Sequence, residues 1–192
     1  MNWSRRRVLK AGGVLAGVSA MGLSAGAAGA SRARVAAGGA DATDGKRIAL
    51  INLHTAERLD IEYCRGGVYV PAALLAIETC LRDFRTGERH AIDPHLMDYL
   101  VDVAAAVGVD PAFSVISGYR SPQTNERLRE RSDGVSKHSL HMEGRAIDVR
   151  LAGVDCADLA THAQTLSRGG VGYYRASDFV HLDTGAFRTW RG

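Results

Sequence analysis

From residue 47 onward the spacing of apolar and polar positions changes from segment to segment, and each spacing predicts an element. "RIALINLH" (47–54) and "RLDIEYC" (58–64) are short strand-like runs joined by a brief turn, which predicts a β-hairpin. "VPAALLAIETCLRDFR" (70–85) places Leu74, Leu75, Ile77 and Leu81 at helical spacing behind a proline, predicting a helix over the whole stretch. "IDPHLMDYLVDVAAAVG" (92–108) predicts a second helix, with Asp93 as cap, Pro94 at the first helical position and Gly108 as the stop. "AFSVISGY" (112–119) reads as a strand, and "SPQTNERLRERS" (121–132) as a short helix capped by Ser121. A polar loop, "GVSKHSLH" (134–141), leads into a strand, "RAIDVRL" (145–151). "DCADLATHAQTLSRGG" (155–170) predicts a helix ended by Gly169 and Gly170, and "GVGYY" (170–174) and "FVHLDTG" (179–185) predict two closing strands. Helices come early and strands late, without regular βαβ alternation. The expected class is α+β, with a small, mainly antiparallel sheet flanked by helices.

The pattern before residue 47 is different. The first forty residues hold no Asp or Glu; Arg5, Arg6, Arg7 and Lys10 precede a weakly apolar Gly/Ala-rich stretch ending in "AGA" at 28–30. That layout predicts a signal peptide over 1–30, and "SRRRVLK" (4–10) resembles a twin-arginine export signal with Val8 in place of the usual Phe. Residues 31–46 read as a linker, which leaves 47–192 as one domain. An uncleaved anchor or a basic tail on an anionic surface is the alternative, although a span needs about 20 strongly apolar residues and this stretch is diluted with Gly and Ser. The leader also sets the charge. Its removal takes four Lys/Arg and no acids, turning the formal +3 into −1, so no argument for nucleic-acid binding survives. With 46% hydrophobic residues the remaining chain can bury a core. Cys64, Cys80 and Cys156 lack the CxxC spacing of a structural zinc cluster and leave room for one disulfide beside a lone thiol.

Two of the late strands carry polar residues where an apolar segment would bury them. By the two-residue repeat, Ala146 and Asp148 share one face of their strand, opposite Ile147 and Val149. In "FVHLD" Phe179, His181 and Asp183 share one face and Val180 and Leu182 the other. An unpaired charge in such a setting is costly, so each of these residues needs a partner. A catalytic zinc site takes three imidazole or carboxylate ligands and keeps a fourth position open, and His141, Asp148 and His181 fit that count. Taken singly, His181 reads more readily as a satisfied core histidine and Asp148 as a strand-end acid paired with arginine.

The motifs together resemble a known family. "SLHMEGRAIDV" (139–149) matches the SxHxxGxAxD signature of zinc peptidases of the D-Ala-D-Ala carboxypeptidase group, the LAS fold group, which act on bacterial cell wall. "SGYRSPQTN" (117–125), "GGVGYY" (169–174) and "FVHLDTGAFRTW" (179–190) resemble its murein endopeptidase K branch, and the likeness runs from about Leu53 to Trp190. The resemblance implies one Zn2+ ion on His141, Asp148 and His181, and hydrolysis of peptide cross-links in peptidoglycan. A D,D-carboxypeptidase trimming stem peptides and a non-catalytic wall-binding module are the alternatives. The implied setting is the periplasm or cell envelope, with peptidoglycan peptide stems as the partner, membrane contact only through the leader before its cleavage, and a monomeric chain. Arg120 resembles the arginine that relatives aim at the scissile carbonyl; it reads otherwise as a surface residue at a helix start. Ser117, Asn125 and His138 are candidates for bracing this loop or touching substrate. The proton-handling acid stays open between Asp183, which shares the face of His181 and reads equally as a partner orienting an imidazole, and Asp178, three residues before that ligand. Gly144 lets the chain turn between His141 and the following strand.

Overall fold

A computed structural model describes residues 45–132 and 134–192. The leader and nearly all of the linker expected over 1–46 lie outside the described residues, apart from Gly45 and Lys46, which open the first strand. In chain order the elements are β1 (Gly45–Asn52), β2 (Arg58–Arg65), β3 (Val68–Tyr69), α1 (Pro71–Cys80), α2 (Pro94–Val107), β4 (Ala112–Ser117) and α3 (Pro122–Arg129). A single 3-10 turn (Leu140–Glu143) then precedes β5 (Ala146–Leu151), α4 (Cys156–Leu166), β6 (Gly170–Tyr174), β7 (Phe179–Asp183) and β8 (Arg188–Arg191).

The class is the expected α+β. All strands join one sheet in the order β3-β2-β1-β4-β5-β7-β6-β8, and that sheet is mixed rather than mainly antiparallel. β1 runs parallel to β4 and β6 parallel to β8, because a chain segment crosses over between the members of each pair. Pattern alone missed β3 and β8, each too short to show a period.

One face of the sheet makes the core. Ile48, Leu50, Phe113, Val115, Ile147, Val149, Val171, Val180 and Leu182 are buried there with Leu96, Leu100 and Val103 of α2 and Leu159 and Ala163 of α4. α2 is held as its sequence predicts: Asp93 accepts from the His95 amide at 3.0 Å, and Gly108 closes the helix at φ 85°. α1 is shorter than expected. Its apolar repeat runs on through Leu81, but the Leu81 carbonyl accepts the Tyr119 amide at 2.8 Å, and the chain turns away over 81–92. α4 also ends early, at Ser167 (φ 52°), so neither glycine caps it: Gly169 lies in the bend after the helix and Gly170 opens β6. The three cysteines are buried and unpaired. Among the described residues, no helix is long and apolar enough to cross a membrane.

Candidate metal centre and cleft

The opposite face of the same sheet carries the polar residues. Register sets Ser117 of β4 beside Asp148 of β5, Asp148 beside His181 of β7, His181 beside Gly172 of β6, and Gly172 beside Trp190 of β8. One row across five strands therefore places Asp148 and His181 side by side. His141 reaches them from the 3-10 turn, which Gly144 ends at φ 66° with its α-carbon packed on the Ala91 carbonyl. Any Cβ there would collide with that carbonyl, so the spacing between ligand and strand in "HMEGRAID" depends on the glycine.

Three donor atoms converge. His141 Nε2 and His181 Nδ1 lie 3.2 Å apart, and Asp148 Oδ1 is 3.3 Å from the first and 2.9 Å from the second. Ligands at about 2.0–2.1 Å from a tetrahedral ion would be about 3.3 Å apart, so the set fits zinc in chemistry and in spacing. Both imidazoles are oriented from behind. His141 Nδ1 donates to the Gly118 carbonyl at 2.7 Å, which turns the Nε2 lone pair inward. His181 Nε2 donates to Asp183 Oδ2 at 3.1 Å, which frees Nδ1 for the centre.

Electrostatics follow from that packing. Burial alone would raise the carboxyl of Asp148, yet His141 and His181 hold it well below the usual carboxylate range. Burial lowers His141. For His181 burial acts in the same direction but is outweighed by Asp148 and Asp183, which push it up to about 9. Asp183 is wholly buried, and its carboxylate accepts from the Gly170 amide at 3.0 Å, the Gly185 amide at 2.8 Å, and Arg188 as well as from His181. Its lone pairs are therefore largely engaged by protein donors, and one of them faces the His181 ring.

Asp178 lies elsewhere. It sits in the β6–β7 turn at φ 52°, its side chain 69% exposed and its carboxylate 3.1 Å from Arg150 Nε, and the structure does not bring it to the three donors. Arg120 is brought to them, with Nη2 3.8 Å from Asp148 Oδ2. Its Nη1 donates to Asn125 Oδ1 at 3.4 Å, while its buried Nε has no protein partner. Burial pulls this guanidinium below its usual value, with Asp148 opposing. Asn125, itself buried, also donates to the Ser136 carbonyl at 3.0 Å and so ties Arg120 to the 134–139 loop. The exposed His138 lines the rim of the cleft.

The cleft, about 730 Å³, holds the three donors on its floor. Arg120 and His138 line it from the loop side, and Tyr174, Phe179, Arg188 and Trp190 from the sheet side. The last four had no role assigned from sequence, although all lie in or beside the "GGVGYY" and "FVHLDTGAFRTW" motifs. Trp190 stands 5.2 Å from the His181 ring and donates to the Tyr174 hydroxyl at 3.0 Å, and Tyr174 stacks on Phe179 at 4.5 Å.

Fold and centre together define an α+β domain with a His–Asp–His group of metal-ligand type on the floor of an open cleft. The chain belongs to the family described as peptidoglycan L,D-endopeptidase MepK, which matches residues 40–190. It is 42% identical over 142 residues to the probable peptidoglycan L,D-endopeptidase MepK of Haemophilus influenzae, covering 73% of this chain and 76% of the relative. It is 40% identical over 143 residues to the peptidoglycan L,D-endopeptidase MepK of Escherichia coli K12, covering 74% and 79%. No solved structure matches the chain. The family resemblance read from the motifs is borne out.

Proposed function

We propose that this chain is a zinc-dependent murein endopeptidase that hydrolyses peptide cross-links of peptidoglycan, and that it works in the periplasm or cell envelope after export. The observation that carries the reading is the trio of donors within 3.3 Å of one another, each imidazole fixed from behind, beneath a cleft open to a peptide. Family membership and the names of the relatives support the same substrate. His141, Asp148 and His181 are proposed to hold one Zn2+, which supplies Lewis-acid polarisation of a carbonyl and activation of water near neutral pH.

The chain's own residues do the rest. Gly118 and Asp183 keep both imidazoles in the tautomer that presents a lone pair to the centre. Arg120 offers donors into a largely water-excluded wall of the cleft, where they stabilise negative charge growing on the carbonyl oxygen. Asn125 holds that guanidinium in place, and Ser117, beside Asp148 in the register, ends the strand that leads into the Arg120 turn. His138 at the rim contacts substrate. Aromatic walls from β6, β7 and β8 seat the peptide's apolar parts.

The relatives' "L,D" name points to the bond between two diaminopimelate residues. Mass analysis of muropeptides digested by the purified enzyme tests this: dimers joined through two diaminopimelates are expected to become monomers. Stems shortened by one D-alanine with dimers left linked would instead mark a D,D-carboxypeptidase, and no change at all a wall-binding module.

A further inference from the structure

Arg188 is a charged residue of the cleft to which the proposed chemistry gives no contact with substrate. It stands on β8 and reaches over Gly170, the bare position beside it on β6, to the carboxylate of Asp183. A Cβ at Gly170 would run into both Asp183 and Arg188. Nη1 meets Asp183 Oδ1 at 3.1 Å and Nη2 meets Oδ2 at 2.7 Å, so the end-on edge of the guanidinium is fully used. Nη1 spends its second proton on the Ala186 carbonyl at 3.1 Å. Arginine has five N–H donors, and two are left: Nε–H and the second Nη2–H, which lie on the same side-on edge. That edge is the one that takes a carboxylate as a two-bond fork. The side chain is 48% exposed and lines the cleft, and its guanidinium carbon packs 5.0 Å from the Trp190 ring, which itself stands next to His181. The free edge is therefore held rigid, one carboxylate away from a donor of the centre.

We propose that Arg188 is a specificity-determining residue, and that its free edge binds a substrate carboxylate next to the bond being cut. The inference rests on the proposed function and deepens it. In a cross-link to diaminopimelate the scissile nitrogen sits on a carbon that also carries a free carboxylate. A peptidase for that bond has to accept an anion within a residue's reach of the reacting carbonyl. In the proposed function Arg120 serves the carbonyl oxygen itself, whereas Arg188 has a preformed fork for a neighbouring anion. The account predicts discrimination against substrates in which this carboxylate is amidated.

Two synthetic cross-linked peptides, identical except for carboxylate or carboxamide at that carbon, provide the test. The wild-type enzyme with its zinc is expected to favour the carboxylate by about 10- to 100-fold in kcat/KM, the range of a charge-assisted hydrogen-bonded contact at a half-exposed site. Arg188→Gln is expected to bring that ratio close to one, with zinc content per chain unchanged, and Arg188→Lys to restore it in part. A wild-type ratio near one overturns the proposal. So does an Arg188→Gln enzyme that loses rate on both peptides but keeps the ratio, because Arg188 would then only brace Asp183. If the wild type cuts neither peptide, the proposed function fails, and calorimetric titration with a single diaminopimelate stem peptide and its amide decides the carboxylate claim. Tighter binding of the acid, lost in Arg188→Gln, supports it; equal binding overturns it.

Discussion

Gly170 and Gly172 alternate along β6, and over each bare position a side chain from β8 leans in. Arg188 crosses Gly170 to reach Asp183, and Trp190 covers Gly172 to stand against His181. A glycine here is a gap through which one strand braces the proposed ligand on another. His181 shows what that bracing does to a proton. Without metal, burial favours the neutral ring, but Asp148 and Asp183 outweigh it and push the group up to about 9, so the metal-free ring is expected to hold a proton on Nδ1, facing Asp148, near neutral pH. The proposed zinc would need that nitrogen bare. Binding at pH 7 is therefore expected to release about one proton from His181, and affinity to rise about tenfold per pH unit until pH passes about 9. Calorimetry in buffers of different ionisation enthalpy checks this, and binding with no proton release contradicts it. Single residues differ in how much of this could be read beforehand. Asp148 and His181 were legible because polar groups broke an apolar alternation. The partners of Asp183 were not, since sharing a face with His181 does not say which lone pairs are spent. Nothing in the spacing around Arg188 shows that its partner is Asp183.

Among the elements, the segment after α1 departs most from its sequence pattern. Helical spacing extends to Leu81, and Leu81 is fully buried, so periodicity has no means of showing that the backbone leaves the helix at Cys80. What stops it is a contact distant in sequence. The Leu81 carbonyl takes the Tyr119 amide, and Asp83, 1% exposed, accepts from the Ser121 amide at 3.0 Å and its hydroxyl at 2.7 Å. Burial would raise the Asp83 carboxyl, but Thr124 and Ser121 hold it below its usual value. This bracket grips the turn that bears Gly118 and Arg120, one orienting His141 and the other facing Asp148. Asp83→Ala would leave buried donors without partners. It is expected to cost about 2–3 kcal/mol in denaturant unfolding and to lower kcat more than it raises KM, because Arg120 loses its mounting. Unchanged stability in Asp83→Ala would refute the bracket. The capped elements, α2 and α3, were legible because their starts are local; β3 and β8 were not, because they exist only through pairing.

At the scale of the molecule, one sheet divides the work between its faces. Apolar residues on one side pack under α2 and α4, and the alternate residues of the same strands build the centre on the other. This division was the most legible feature of all, because a two-residue period fixes both faces at once. Strand order was not legible, and the mixed pairing follows from crossovers that no local pattern encodes. Stability and chemistry are thus separable by design of the strands: loss of metal should empty the cleft floor without dismantling the core. The most direct test of the whole account is digestion of cross-linked muropeptides by the protein before chelation, after removal of metal, and after return of one equivalent of Zn2+. The account predicts cleavage of dimers, its loss on chelation with the far-ultraviolet circular dichroism retained, and recovery at one zinc per chain. Full cleavage by metal-free protein, or by His141→Ala, would contradict it.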